Sequence, residues 1–297
     1  MIDAGQWLSA LFGRLLSPTA CQTYAGLAMF LSAMLLVELR QGRGIGPYLG
    51  RSFRTDLLYT LLIVGGMYGL IQQPLINWID SLIRQHASFF YLDLLRRLPE
   101  PLQLVAFLVA VDFCRYWKHR LLHASPYLWP FHSIHHAPQK LNFLVNYRLH
   151  LVEHLIDGVV TLVPVVLLGV PTHIWLPVNF LLVWYTSLHH CDLDLSFGWF
   201  ERIFVSPRFH AAHHSADKRD FDTNFGDAFS IWDLLFGTAR FKPSRPQAYG
   251  VATLDVPLSF VGQLFFPLKH LANQIRSKLP PRSLASLNVS PPTEEDR

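Results

Sequence analysis

His119 to His136 reads HRLLHASPYLWPFHSIHH, and five of these residues are histidines, spaced H-x3-H and then H-x2-HH. In a helix, residues three and four apart share a face, so His119 and His123 point one way, as do His132, His135 and His136. Pro126 and Pro130 stand near the junction of the two groups. They predict two short helices joined by a bend. Imidazoles gathered in this way form a nitrogen-rich metal site.

The composition places this stretch in a membrane protein. Hydrophobic residues make up 51% of the 297, charged residues 15%, and mean hydropathy is +0.25. Ordinary soluble domains carry roughly 25% charged residues. The net charge of +4 comes without a Lys/Arg block interleaved with aromatics, which argues against nucleic acid. Cytoplasmic membrane flanks explain it better. Cys21, Cys114 and Cys191 form no C-x-x-C pattern, so neither a disulfide framework nor a thiolate metal site is indicated.

Upstream of the histidines, residues 1–18 read as an interfacial helix. Residues 21–39 are long and apolar enough to span a bilayer. An Arg-bearing loop follows (Arg40, Arg43, Arg51, Arg54), then a second apolar run over about 57–79 with Gly65-Gly66 inside it and Pro74 as a kink. Residues 81–98 are expected as an amphipathic surface segment, and 102–117 as a third span leading into His119. Downstream, 155–188 is apolar but broken at Gly169, Pro171, Thr172 and His173, which suggests a helical hairpin dipping into the membrane. Positive residues in the 40–54 loop and at Arg115, Lys118 and Arg120 place the histidine clusters on the cytoplasmic side. The expected fold is an all-α integral membrane protein, multi-pass, with about four to five membrane helices. A cytoplasmic helical cap would hold the histidine-rich di-metal site. Residues 1–118 form the N-terminal membrane helices and 119–250 the histidine-box catalytic region. Residues 251–279 are a C-terminal membrane-associated helix, and 280–297 a disordered tail.

Of the 15 histidines, only His86 and His270 fall outside 119–214. A second H-x2-HH, His210-x-x-His213-His214, follows Ser206-Pro207, a strong helix start. A lone histidine in such a helix is usually a hydrogen-bonded bystander, but these clusters together point to metal ligation. One zinc needs three or four protein ligands, so eight or more histidines argue for two ions. A haem needs two axial histidines on separate helices and gains nothing from adjacent pairs, and H-E-x-x-H is absent. Two histidine-bound metals at a membrane surface point to dioxygen activation by iron.

The motifs DFCRYWKHRLLH (112–123), HSIHH (132–136), RLHLVEH (148–154), HHCDLDL (189–195), HAAHH (210–214), NFGD (224–227) and WDLLFGT (232–238) resemble the fatty acid hydroxylase/sterol desaturase superfamily of membrane histidine-box di-iron oxygenases. The resemblance implies two iron ions (Fe2+/Fe3+) with O2 as co-substrate. It implies metal ligands at His119, His123, His132, His135, His136, His210, His213 and His214. His190 matches a further family histidine, with Asp192 where the family has Asn. His150 matches the family's R-x-H-P-x-E position, with Leu151 in place of Pro, and is expected beside the metals. His154 is a weaker candidate for the metals' surroundings.

Asp112 and Tyr116 share a helix face with His119. A carboxylate at the membrane boundary needs a partner, and Asp112 is expected either to hold the outer nitrogen of a ligand histidine or to pair with Arg115. Glu153 is similarly placed between His150 and His154. The 232–238 segment is assigned packing and no chemistry. The implied function is hydroxylation of a C–H bond of a lipid drawn from the bilayer. No haem, flavin or G-x-G-x-x-G motif is recognisable, so an external electron-transfer protein is expected. A lipid or sterol desaturase is the alternative within the same family. A membrane zinc hydrolase or a non-catalytic scaffold are the alternatives of other classes.

Overall fold

The computed structural model describes residues 9, 13, 16–42, 44–251 and 253–278. The interfacial helix expected over 1–18 and the tail from 280 lie almost entirely outside them. The described chain is all-helical apart from two isolated β-bridges, Phe204 with Phe229 and Ser215 with Tyr249. Its α-helices are α1 (Pro18–Arg40), α2 (Gly46–Leu49), α3 (Arg51–Val64), α4 (Gly69–His86), α5 (Glu100–Ala124), α6 (Trp129–His136), α7 (Leu151–Leu168), α8 (Thr172–His189), α9 (Pro207–His213), α10 (Ile231–Leu235) and α11 (Phe260–Lys278).

Cys21–Arg40 and Leu151–Leu168 are long and apolar enough to cross a bilayer, and α3 with α4 makes a third candidate bent by 45°. The bend differs from expectation. It falls at Gly65-Gly66, where Gly66 takes φ +73°, and not at Pro74, which α4 accommodates. A left-handed residue stops a helix, and nothing here stops one at Pro74. The 81–98 stretch, expected as an amphipathic surface segment, is divided between elements. Residues 81–86 complete α4, a short 3-10 turn follows at Ser88–Phe90, and the remainder is irregular up to Pro99.

Two helices joined by a tight turn occupy the stretch expected as a hairpin, and the first of them is long and apolar enough to cross a bilayer. Gly169 ends α7 with φ +66°, and Pro171 begins α8. Its two arms clasp α5. Phe107, Val111, Ile174, Val178 and Leu182 are buried there as one cluster. α5 is one continuous 25-residue helix, so residues 102–117, expected as a third span, share a single rod with the first histidine pair; α5 is not among the helices long and apolar enough to cross a bilayer. After the bend at 125–128, α6 returns across its end.

One buried ion pair pins the loop after α6. Arg148, fully buried, donates through Nη1 to Asp56 Oδ1 and Ser52 Oγ, both at 2.8 Å, and Asn142 Nδ2 donates to Asp56 Oδ2 at 2.9 Å. The turn Phe143–Tyr147 is thereby fixed on α3, and α7 starts from it. Truncating Arg148 strands a buried carboxylate, at a cost of about 3–5 kcal/mol. Arg148→Ala is therefore expected to lower the thermal unfolding midpoint in detergent sharply. The double variant with Asp56→Ala should recover part of the loss, which would register as coupling in a double-mutant cycle.

Candidate metal centre

The ends of four helices converge on one layer: the C-terminus of α5, all of α6, the C-terminus of α8, and α9. α9 starts as its sequence suggests, with Ser206 Oγ accepting from Phe209 N at 3.1 Å and Pro207 in the first turn. Nine histidines meet in two groups, and within each the candidate ligand atoms all lie within 4.8 Å of one another. One group is His119, His123, His132, His136 and His213; the other is His135, His190, His210 and His214.

The adjacent pairs divide between the groups. His135 joins one and His136 the other, and His213 and His214 divide likewise. Consecutive helical residues are about 100° apart around the axis, so an HH dipeptide delivers one ring to each of two neighbouring centres. The His136 and His214 rings stack across the boundary with centroids 4.3 Å apart.

Outer hydrogen bonds fix which nitrogen faces inward. Nδ1 donates to the Phe225 carbonyl from His119 (2.9 Å), to Glu153 Oε1 from His132 (2.8 Å), to the Thr186 carbonyl from His190 (2.8 Å) and to the Thr223 carbonyl from His213 (2.7 Å). Asp222 Oδ1 is 3.4 Å from His123 Nδ1. A ring that spends its proton on Nδ1 presents a bare lone pair at Nε2.

Those inner nitrogens crowd together. Nε2 of His136 lies 3.1 Å from that of His123 and 3.2 Å from that of His132. In the other group, Nε2 of His190 lies 3.1 Å from that of His135 and 3.0 Å from that of His210, with His214 3.2 Å from His210. Nitrogens bonded to one ion at about 2.0–2.1 Å stand about 3.0–3.4 Å apart, so both groups fit a cation. Nε2 of His119 and of His213 is buried with no hydrogen-bond partner, as a waiting ligand would be. Burial and the neighbouring rings hold His132, His135, His136, His210, His213 and His214 well below the usual imidazole range, and burial pushes His190 down to about 4. Neutral imidazole is the ligating form.

The structure places the other candidates differently. His150 belongs to neither group. It caps α7, its Nδ1 accepting from Val152 N at 3.1 Å and its Nε2 donating to the Leu264 carbonyl at 3.1 Å, so both nitrogens are engaged away from the centre. Glu153 holds a candidate ligand as expected. Asp112 does not, nor does it pair with Arg115. It accepts from Ala228 N (2.7 Å), Phe229 N (3.0 Å) and Trp232 Nε1 (2.9 Å), bracing the loop behind His119. His154 lies outside both groups, its ring edge-on to Tyr68, and faces a cavity.

Sequence reasoning missed two contributors. Asp233, in the segment given no chemistry, accepts from Phe225 N (2.8 Å) and Gly226 N (2.9 Å), and the Phe225 carbonyl is the one that orients His119. A Cβ on Gly226 would stand 2.5 Å from the Phe229 carbonyl oxygen, so this turn requires glycine. His189, fully buried beside His190, lies outside both groups, yet lines the same cavity. The His189-His190 pair was its only sequence signal. That cavity, about 440 Å³, opens on His119, His132, His135, His190 and His210 from between α4, α5, α7 and α8. A smaller one of about 200 Å³ meets His123, His136 and His213 on the other side.

Fold and site together define a helical integral membrane protein with a candidate dinuclear centre built from histidine. The fatty acid hydroxylase family model matches residues 104–238. Ornithine lipid hydroxylase of Rhizobium tropici is 31% identical over 224 residues, covering 73% of this chain and 66% of that protein. Alkylglycerol monooxygenase of Homo sapiens is 29% identical over 130 residues, 44% of this chain and 29% of its own. A Delta(7)-sterol-C5(6)-desaturase of Nicotiana tabacum is 32% identical over 141 residues, 45% and 48%. No solved structure matches. The chain belongs to the fatty acid hydroxylase/sterol desaturase superfamily.

Two outcomes follow for the centre. Glu153→Gln keeps the shape but replaces the carboxyl behind His132 with a weaker amide acceptor, and metal affinity measured by chelator competition is expected to fall about 10–100-fold. The metal-free chain should lose stability as pH falls below about 6.5, because the unfolded chain then takes up protons that the buried imidazoles refuse. Its melting temperature in detergent should drop steeply from pH 6.5 to 5. A flat profile would mean that the rings are not held neutral.

Proposed function

We propose that the chain is a membrane-bound, O2-dependent di-iron lipid hydroxylase. The observation that carries this reading is the pair of buried histidine groups facing a cavity between membrane-level helices. His119, His123, His132, His136 and His213 would hold one iron and His135, His190, His210 and His214 the other. Bound iron would supply the activation of O2 needed to cleave an unactivated C–H bond. The reaction is R–H + O2 + two electrons + two protons giving R–OH + H2O, with the electrons delivered by an external electron-transfer protein.

The chain's own residues set the conditions for that chemistry. Glu153 and the carbonyls of Thr186, Thr223 and Phe225 aim the inner nitrogens before any ion arrives. α7 and α8 wall the cavity and keep bulk water from the C–H bond. The family relatives named above act on lipids according to their names, and the chain spans less than two thirds of the length of each; a lipid substrate is carried over to this chain on that similarity and on the cavity. Residues 119–250 form the catalytic region, flanked by the membrane segments 1–118 and 251–279, with four to five membrane helices in all. We place the histidines on the cytoplasmic side, on the strength of the Arg-bearing loop 40–54 and Arg120. Arg115 and Lys118 carry less weight in this respect than their sequence position suggests, because both line the cavity.

A desaturase is the second reading, favoured by the similarity to a sterol desaturase. A zinc hydrolase is disfavoured, because groups of five and four histidines exceed the three ligands of a catalytic zinc. Lipid mass spectrometry of cells carrying the intact chain or His135→Ala tests the reading. A lipid heavier by one oxygen, lost in the variant, is expected. Loss of two hydrogens would indicate desaturation, and unchanged lipids under aerobic, iron-replete conditions would refute both.

A further inference from the structure

The tract Asp192-Leu193-Asp194-Leu195 joins two helices that carry candidate ligands. It starts two residues after His190, the C-cap of α8, and leads to α9, which carries His210. The His190 ring is fixed to α8 by its bond to the Thr186 carbonyl. The 3.0 Å between its Nε2 and that of His210 therefore depends on how the end of α8 stands against α9. Tyr185 Oη, donating to the Val205 carbonyl at 2.8 Å, makes one tie between α8 and the approach to α9. The 192–195 connector makes the other.

Contacts from three other segments hold this connector. Asp192 N donates to Glu38 Oε1 at 3.1 Å, and Tyr48 Oη donates to the other oxygen of that carboxylate at 2.8 Å. Arg245, from the segment after α10, pairs with the Asp192 carboxylate. Arg208, two residues before His210, donates through Nε to Asp194 Oδ1 at 2.8 Å and through its backbone N to the Leu195 carbonyl at 3.0 Å. Leu193, between the two aspartates, is buried.

Glu38 stands in the last turn of α1, a helix whose surface is otherwise mostly exposed, yet the residue itself is only 1% exposed. A carboxylate at the end of a span is costly, and the packing of α1 alone calls for none. Apolar side chains would be enough to bury the connector. Hydrogen bonds and ion pairs add direction, and a metal site requires that its ligands keep theirs. His190 is the sole candidate ligand on α8, so a shift at the end of α8 reaches the group of four histidines and spares the group of five.

We propose that Glu38, Arg245 and Arg208 are positioning residues for the four-histidine group. Acting through the 192–195 connector, they hold His190 against His210 and so set that ligand shell before an ion arrives. The assignment rests on the reading that this group holds an ion, and is independent of the reaction the ion supports.

The test loads the full metal-free chain in detergent with Co2+, which imidazole sites accept, and measures affinities by chelator competition. Two ions per unsubstituted chain are expected. Arg245→Ala should weaken one of them about tenfold, as lost support behind a ligand does, and leave the other unchanged. Arg245→Lys, which keeps a cation on Asp192, should restore most of the loss. Asp192→Ala should weaken the same ion, and the double variant no further than either single one, because the two residues act as one tie. Adding Glu153→Gln, which acts behind His132 in the other group, to Arg245→Ala should weaken both ions. Equal weakening of both ions by Arg245→Ala alone, no weakening, or an additive double variant with Asp192→Ala would overturn the assignment. If Arg245→Ala does not fold, Glu38→Ala and Glu38→Gln decide. Gln keeps an acceptor for Asp192 N, so it should spare the ion that Ala weakens, and equal effects overturn the proposal. A single bound ion that Arg245→Ala weakens and Arg245→Lys restores supports the connector and contradicts the dinuclear reading. Binding of no Co2+ overturns both. The expected pattern in a chain that oxidises no lipid supports the connector and counts against the oxygenase reading instead.

Discussion

The structure depends on burying nine neutral imidazoles in one layer. Each ring carries two polar nitrogens, and a polar atom out of water without a partner costs about 1–3 kcal/mol. The fold meets that cost on the outer side of several rings by supplying an acceptor: Glu153, or the carbonyls of Phe225, Thr186 and Thr223. On the inner side it supplies only other imidazoles, with nitrogens 3.0–3.2 Å apart. Bare lone pairs do not attract one another, so a cation is the natural partner for each group. The same requirement explains why the site is built from helix ends. A helix end exposes carbonyls and bends the chain away, which lets α5, α6, α8 and α9 approach the same point.

Buried carboxylates hold the frame in place around that layer. Asp112 ties α5 to the 228–232 loop, Asp233 clamps the turn at Phe225-Gly226, and Asp56 with Arg148 fixes the segment between α6 and α7. Asp112 and Asp56 connect residues far apart in sequence, with 116 positions separating Asp112 from Ala228 and 92 separating Asp56 from Arg148. A ring aimed by a clamped loop keeps its direction when the surrounding membrane helices shift, as a metal site requires.

Much of this was legible in the sequence, and the reason is periodicity. H-x3-H and H-x2-HH on helices place rings on shared faces without tertiary information, and Ser206-Pro207 announces α9 by capping chemistry alone. Apolar length disclosed the 155–188 hairpin, with Gly169 at its turn. The division of the rings into five and four was not legible. It depends on which neighbour each half of an HH pair meets, and His136 meets His123 while His135 meets His190 only once α8 has returned. Asp112 was misread for a related reason, since its helix face pointed toward His119 but its partners arrive from a distant loop. His150 matched a family position, yet the α7 N-terminus and the Leu264 carbonyl claim its nitrogens. The bend at Gly65-Gly66 went to the residue with positive φ and not to the proline, because a proline early in a helix can be absorbed.

The cavity of about 440 Å³ meets His119, His132, His135, His190 and His210, and a separate one of about 200 Å³ meets His123, His136 and His213. Everything rests on two nitrogen-ligated ions. X-ray absorption spectroscopy with metal analysis, on the chain purified anaerobically with iron, addresses that most directly. The account predicts two irons per chain, each with a ligand shell dominated by imidazole nitrogen. One iron per chain, or a shell of mainly oxygen or sulfur ligands, would contradict it.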